Sequence, residues 1–345
     1  MLRILDARTG ESVAAAPVRR GLTRIEAHAC GLDPTSLRVL LTADVLGRAL
    51  ELGGTPVWTT LTAACDRPAL RTAATTLSVR PFEDGHDLAS GLGEAQVVHV
   101  APQGAEDTCG EGAVVSVAPV EWPRREPPGG AAEAPDGAAG GPGGAGRGPD
   151  QGAGGPDRTA DGPDAMDRRP GGLEHGPGGL DRGPGGSRRA EDGGGRVADA
   201  PAGAAARTTP LPPSRPAPRP LPPLPALLAG ADMDSAALRL ALLSVPRREP
   251  VRMDGALLES AARSLGRWRR DVAGWARQPS RPVPDEVRAR LRAAWEDDLD
   301  VPAVFGVLRD VASGPGVPDG ARFETYAYAD RLLALDLARD LGSLA

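Results

Sequence analysis

Few side chains in this sequence have metal-binding or nucleophilic chemistry. Cys30 stands two residues after His28, and if residues 22–29 form a strand, both fall on one of its faces. His99 ends another strand-like run. A Cys-His-His set could ligate a borderline metal ion such as zinc. The plainer reading is a small thiol at a strand end and two incidental histidines. Gly31, Asp33 and Thr35 follow in the turn between that strand and a helix. Doubly wound sheets bind ligands at this end, so the three form a candidate ligand pocket. Asp84, His86 and Asp87 lie close together with no serine or cysteine beside them to act as nucleophile. The pattern names no catalytic residue.

Composition narrows the chemistry further. The chain has no lysine, so all 40 basic residues are arginine. A Walker-type phosphate loop or a Schiff base needs an ammonium group that arginine only partly imitates. Three widely spaced cysteines without a CxxC pair argue against a disulfide framework or a zinc knuckle. A net charge of -6 disfavours a general nucleic-acid binder. Arginine outnumbers acid between Arg239 and Arg292, a stretch that reads as a solvated helix face rather than an RNA-binding one, because stacking aromatics are not interleaved. No signal-peptide pattern opens the chain and no run of about 18 apolar residues occurs. A cytoplasmic location and no membrane partner are the expectation.

Two foldable segments must position these residues. Of 345 residues, 46 are Gly and 36 Pro, concentrated in the middle. Residues 123–225 read as a disordered Gly/Pro-rich linker, because such a composition cannot bury enough apolar area to offset chain entropy. Residues 1–122 alternate strand and helix signals: strands at 22–29, 56–61 and 95–100, and helices at 35–51 and 67–76. In the longer helix Leu37, Leu40, Leu41, Val45, Leu46 and Ala49 share a face, Asp33 or Thr35 can cap the start, and Gly53-Gly54 stops it. Strands separated by helices predict an α/β segment, half of a doubly wound Rossmann-like parallel sheet covered on both faces. Residues 226–345 are helical in pattern. Leu258, Ala261, Leu265, Trp268, Val272 and Trp275 make one seam, Asp300 before Pro302 starts another helix, and Phe323, Tyr326, Leu333, Leu337 and Leu341 mark the last. Four or five helices in a bundle are expected.

Several separated patches resemble the class I cysteine-activating ligases, cysteinyl-tRNA synthetase and the cysteine ligase of mycothiol biosynthesis. Residues 2–10 (LRILDARTG) resemble their first strand, and residues 24–31 (RIEAHACG) the strand ending in VCG. Residues 43–53 (ADVLGRALELG) resemble the following FDVLxRxLxxxG helix. Later, residues 234–244 (DSAALRLALLS) resemble the helix that names the DALR bundle, and residues 297–303 (DDLDVPA) resemble the family's DDLDTPAA. The resemblance implies an ATP-dependent ligase with zinc. Cys30 occupies the family's first zinc position, while the other family ligands have no counterpart. Cys65 and Asp66 fall near the family's TDVDD stretch and could face a substrate.

The departures bear on activity. The family's TxYDxxHxGHA stretch is replaced by residues 32–39, which contain no histidine, and a KMSKS-type loop cannot exist without lysine. The helical segment has no anticodon-recognition domain after it, which favours the mycothiol-type relative and makes tRNA an unexpected partner. The reading that follows is a degenerate family member, catalytically silent, acting as a binding or regulatory module for a small molecule such as cysteine or a nucleotide. The alternatives are a true ligase that transfers cysteine to an amine or tRNA acceptor, with Arg38 and bundle arginines holding phosphate, and a scaffold docking on the genuine ligase.

Overall fold

The computed structural model describes residues 1–18, 20–63, 65–84, 94–122, 221–229 and 234–343. The linker expected over 123–225 lies outside these residues up to 220. Within its last few positions Leu221 and Leu224 are buried.

The chain opens with an antiparallel hairpin, β1 (Arg3–Leu5) and β2 (Ser12–Ala14). Then come β3 (Leu22–Ala29), α1 (Pro34–Leu52), β4 (Val57–Ala63), α2 (Arg67–Thr76), the two-residue β5 (Glu83–Asp84), β6 (Glu94–Pro102), β7 (Ala113–Val117) and β8 (Val120–Glu121). β3 to β7 make one parallel sheet in the order β5-β4-β3-β6-β7. The sheet grows outward on both sides of β3, so it has a switch point between β3 and β6. The expected sheet was half of a doubly wound fold with three strands. β7 extends it past the switch point. β7 is a short apolar run, AVVSV, reached from β6 through a single 3-10 turn (Glu106–Thr108) in place of a crossover helix. No helical period announces it.

The two sheet faces differ. Ile25, Ala27 and Ala29 are buried. α1 packs against β3, β4 and β6 on their side, with Leu40, Ala43 and Gly47 lining the same cavity as Ala27. Arg24, Glu26 and His28 alternate onto the other face and remain partly accessible. The expectation of two apolar faces fails at β3, whose sequence itself alternates.

α1 forms where its apolar positions, a proline in the first turn and the Asp33 cap coincide. Gly53 and Gly54 close its C-terminus, Gly53 N donating to Ala49 O and Gly54 N to Glu51 O. The later chain supplies α3 (Leu224–Ala229), α4 (Ser235–Leu243), the two-residue β9 (Val251–Arg252), α5 (Gly255–Trp275), α6 (Asp285–Glu296), α7 (Val301–Ser313) and α8 (Asp319–Leu333). Trp268 and Trp275 are buried, and Tyr326 meets both edge-on at ring-centroid distances of 6.2 and 5.1 Å. The last helix ends earlier than its apolar spacing predicts. Ala334 turns left-handed at φ 48°, and the Asp330 carboxylate accepts from Leu335 N at 2.7 Å and Leu337 N at 3.0 Å. Leu337 is buried in that turn, but Leu341 is exposed.

The sheet and these helices share one core, within the unit formed by Met1–Pro128 and Arg215–Ala345. β8 pairs in parallel with β9, Val120 opposite Val251. The DDLD turn holds the first strand: Asp298 N donates to Arg3 O at 2.9 Å, and Asp298 Oδ1 accepts from Leu5 N at 2.7 Å and from Arg247. Asp298 and Leu299 both take positive φ to make this reach.

Buried arginines tie the halves together, which corrects the reading of the Arg239–Arg292 stretch as simply a solvated face. Arg239 is fully buried. Its Nη2 donates to Asp44 Oδ2 at 2.5 Å, and its other nitrogens to Leu77 O at 3.0 Å and Leu333 O at 2.6 Å. Arg247 donates to Ser116 O at 2.6 Å, and Arg269 to Asp234 and to the carbonyls of Leu335 and Asp336. The ADVL and DALR-like patches, 195 residues apart between Asp44 and Arg239, therefore meet in a buried ion pair. Arg48 adds a second cation to Asp44 at 2.8 Å. Burial pushes the Asp44 carboxyl upward, and these arginines more than offset it, holding it below the usual carboxylate range.

Candidate functional site

The candidate pocket at the start of α1 is built from Gly31, Asp33 and Thr35. Gly31 turns the chain out of β3 with φ +80°, a conformation that favours glycine. Asp33 is extended, and its Oδ1 accepts from Thr35 N at 2.8 Å and Ser36 N at 3.0 Å. Its Oδ2 accepts from Ser36 Oγ at 2.5 Å. Pro34 has no N–H, and Leu37 N already donates to Asp33 O. Thr35 Oγ1 is also engaged, accepting from Val120 N at 3.0 Å.

A phosphate bound at a helix N-terminus needs free N–H groups and the positive end of the helix dipole. Here one carboxylate occupies both. Asp33 thus caps the helix and Thr35 straps it to Val120.

Arg38, expected as a phosphate ligand in the ligase alternative, is only 1% exposed. Its guanidinium donates to the carbonyls of Ala118 (3.1 Å), Glu249 (2.6 Å), Val245 (2.9 Å) and Pro246 (2.7 Å). Burial pulls its pKa down to about 10, which leaves it a cation at neutral pH. A guanidinium committed to four backbone oxygens has no face left for phosphate, and removing it would strand several buried carbonyls.

Cys30 and Cys65 are exposed at the carboxyl ends of β3 and β4, with sulfur atoms 3.8 Å apart. The contact with Cys30 raises the Cys65 thiol pKa. A Cβ placed on Gly31 would lie 3.6 Å from Cys65 Sγ and 3.5 Å from Asp66 Oδ2, so these two residues close over the glycine. Of the Asp84, His86 and Asp87 group, the two later residues and the Asp84 side chain lie outside the described residues.

His28 on β3 and His99 on β6 come together, against the plainer reading of two incidental histidines. His28 Nε2 lies 3.0 Å from His99 Nδ1. The cysteine that joins them is Cys109. Among the described residues, the metal-capable group with ligand atoms within 4.8 Å of one another is His28, His99 and Cys109, without Cys30. The zinc position that the family resemblance assigns to Cys30 therefore lacks, among the described residues, a set of partners to complete it.

Cys109 sits on the loop between β6 and β7, which folds back over His99. Gly112 holds φ +126° there, and a Cβ on it would stand 3.5 Å from the His99 ring. Arg8 pins the loop by donating to Cys109 O at 2.6 Å, Gly110 O at 2.7 Å and Gly112 O at 3.1 Å. Burial lowers the His28 pKa and raises that of Cys109. Sequence spacing missed Cys109 because a loop carries it, ten positions past His99, and loop closure leaves no periodic signal.

No family model matches the chain. Over 110 residues it is 34% identical to the L-cysteine:1D-myo-inositol 2-amino-2-deoxy-alpha-D-glucopyranoside ligase of Streptosporangium roseum. The match takes in 31% of this chain and 26% of the relative, so the chain spans about a quarter of the length of the curated relative it matches. Over that stretch, the chain is similar to a cysteine ligase.

Proposed function

We propose that this protein is a binding or regulatory module related to the cysteine ligases, without adenylating activity. The observation that carries the reading is the closed start of α1, where Pro34 and the Asp33 cap leave no backbone N–H in the first turn for a phosphate. The commitment of Arg38 to four carbonyls supports it, and so does the absence of lysine from the chain. In this reading the later helices are a DALR-type bundle retained as a structural partner of the sheet, with the Arg239–Asp44 pair as their junction.

The similarity to a ligase whose name specifies L-cysteine and an amino sugar favours a second reading, in which the chain activates cysteine and joins it to an amine. Cysteine-dependent exchange of pyrophosphate into ATP separates the two. The proposal predicts exchange indistinguishable from a protein-free control, and exchange that rises with protein and requires cysteine would overturn it.

A further inference from the structure

We infer that His28, His99 and Cys109 form a transition-metal site, of a kind suited to zinc, on the polar face of the sheet and separate from Cys30. The inference stands apart from any ligase reading, since it uses none of the residues at the start of α1.

The donor set suits such an ion: two imidazole nitrogens and one sulfur, with ligand atoms all within 4.8 Å of one another. A tetrahedral zinc, with Zn–N of about 2.0–2.1 Å and Zn–S of about 2.3 Å, holds its ligand atoms roughly 3.3–3.7 Å apart. The 3.0 Å between His28 Nε2 and His99 Nδ1 is close to that spacing, so side-chain adjustments of well under 2 Å would complete the set.

The orientation of His99 supports the assignment. Its Nε2 lies 3.0 Å from Glu111 O, and a carbonyl can only accept, so Nε2 carries the hydrogen. In the neutral ring Nδ1 is then the nitrogen with the lone pair, and it lies 3.0 Å from His28 Nε2, which donates to it and would move its hydrogen to its own Nδ1 on binding a metal. A ligating histidine whose other nitrogen donates to a backbone carbonyl is the arrangement that fixes tautomer and ring position in metal centres. Glu26, on the same strand face, has its Oε2 3.5 Å from His99 Nδ1 but is held by Arg24 and Thr62, so the set is three protein ligands with the fourth position left to water.

The support is built in. His99 is 2% exposed, and His28 and Cys109 are half-buried. Arg8 is the nearby cation that opposes a metal ion. Its guanidinium is directed to the carbonyls of Glu106, Cys109, Gly110 and Gly112, where it positions the loop that brings the sulfur in.

The test is titration of the chelator-treated full chain with Co2+, followed by displacement with Zn2+. The expected result is a thiolate-to-cobalt charge-transfer band that saturates at one ion per chain and is lost when zinc displaces it. Cys109→Ser should abolish the band. His28→Gln, at a half-buried position, should weaken binding by more than the roughly 10–100-fold that loss of an outer-shell partner produces. Cys30→Ser and Cys65→Ser should leave both band and affinity unchanged. Far-UV circular dichroism of each variant confirms that it is folded. Absence of a thiolate band in folded wild-type protein overturns the proposal. So does a band that survives Cys109→Ser and disappears in Cys30→Ser, which would put the metal on the other cysteine.

Discussion

The start of α1 and the loop over His99 serve opposite faces of one sheet, and their polar groups are used differently. At α1 every first-turn backbone N–H is taken by Asp33, and Arg38 one turn later is spent on four carbonyls. At the loop, a histidine tautomer is set by a backbone carbonyl, its other nitrogen meets a second histidine, and a thiol lies within 4.8 Å of the pair. The first region carries the resemblance to nucleotide chemistry and has its donors consumed by the fold. In the second, the lone pair on His99 Nδ1 is shared with another imidazole, His28 Nε2 at 3.0 Å, and with no backbone group that the fold depends on. Polar groups that complete a buried network hold the chain together, and they are then unavailable to a ligand.

The largest expected effect lies in the network behind α1. Asp44→Ala leaves Arg239 buried without its counter-ion, which should cost about 3–5 kcal/mol in denaturant unfolding. Asp44 also gives the acid limb its sign. Its folded pKa is below the unfolded value, so its contribution is present above the unfolded carboxylate range of about pH 4 and is lost as pH falls through the lower folded value. Asp44→Asn should therefore flatten the acid dependence of stability in that window. An acid limb identical to wild type would contradict the pairing.

A smaller effect is expected at the cap. Asp33→Ala should destabilise by roughly 1 kcal/mol in urea unfolding, with Asp33→Asn retaining most of the stability. No change on Asp33→Ala would mean that the carboxylate is not committed to the helix, and the end of α1 would again be open to phosphate.

The smallest effect concerns Cys30 and Cys65, exposed and 3.8 Å apart. Treatment with diamide should link them and leave Cys109 as the free thiol, with little change in unfolding midpoint. Peptide mapping that finds Cys109 in the crosslink would break the separation between the two thiol sites.

Much of this architecture was legible in the sequence for local reasons. β3 and α2 fall where their patterns place them, α7 begins at the expected Asp300, and of the two candidate caps for α1, Asp33 and Thr35, it is Asp33 that caps, directly before a first-turn proline. His28 and His99 could be paired because strand register is regular. The remainder depends on distant contacts. β7 is too short for a period, and Cys109 reaches the histidines through a glycine-bearing loop held by Arg8. Arg38 reads as a charged interruption in an apolar helix until four carbonyls from two other segments surround it. Leu337 and Leu341 continued the helical spacing past the point where Asp330 ends α8.

The central proposal, that the start of α1 holds no nucleotide, is tested most directly by calorimetric titration of ATP into the full chain, with and without cysteine. The account predicts no saturable heat in either case. Saturable ATP binding that tightens when cysteine is present would contradict it, and would mean that the Asp33 cap gives way to a phosphate at the first turn of α1.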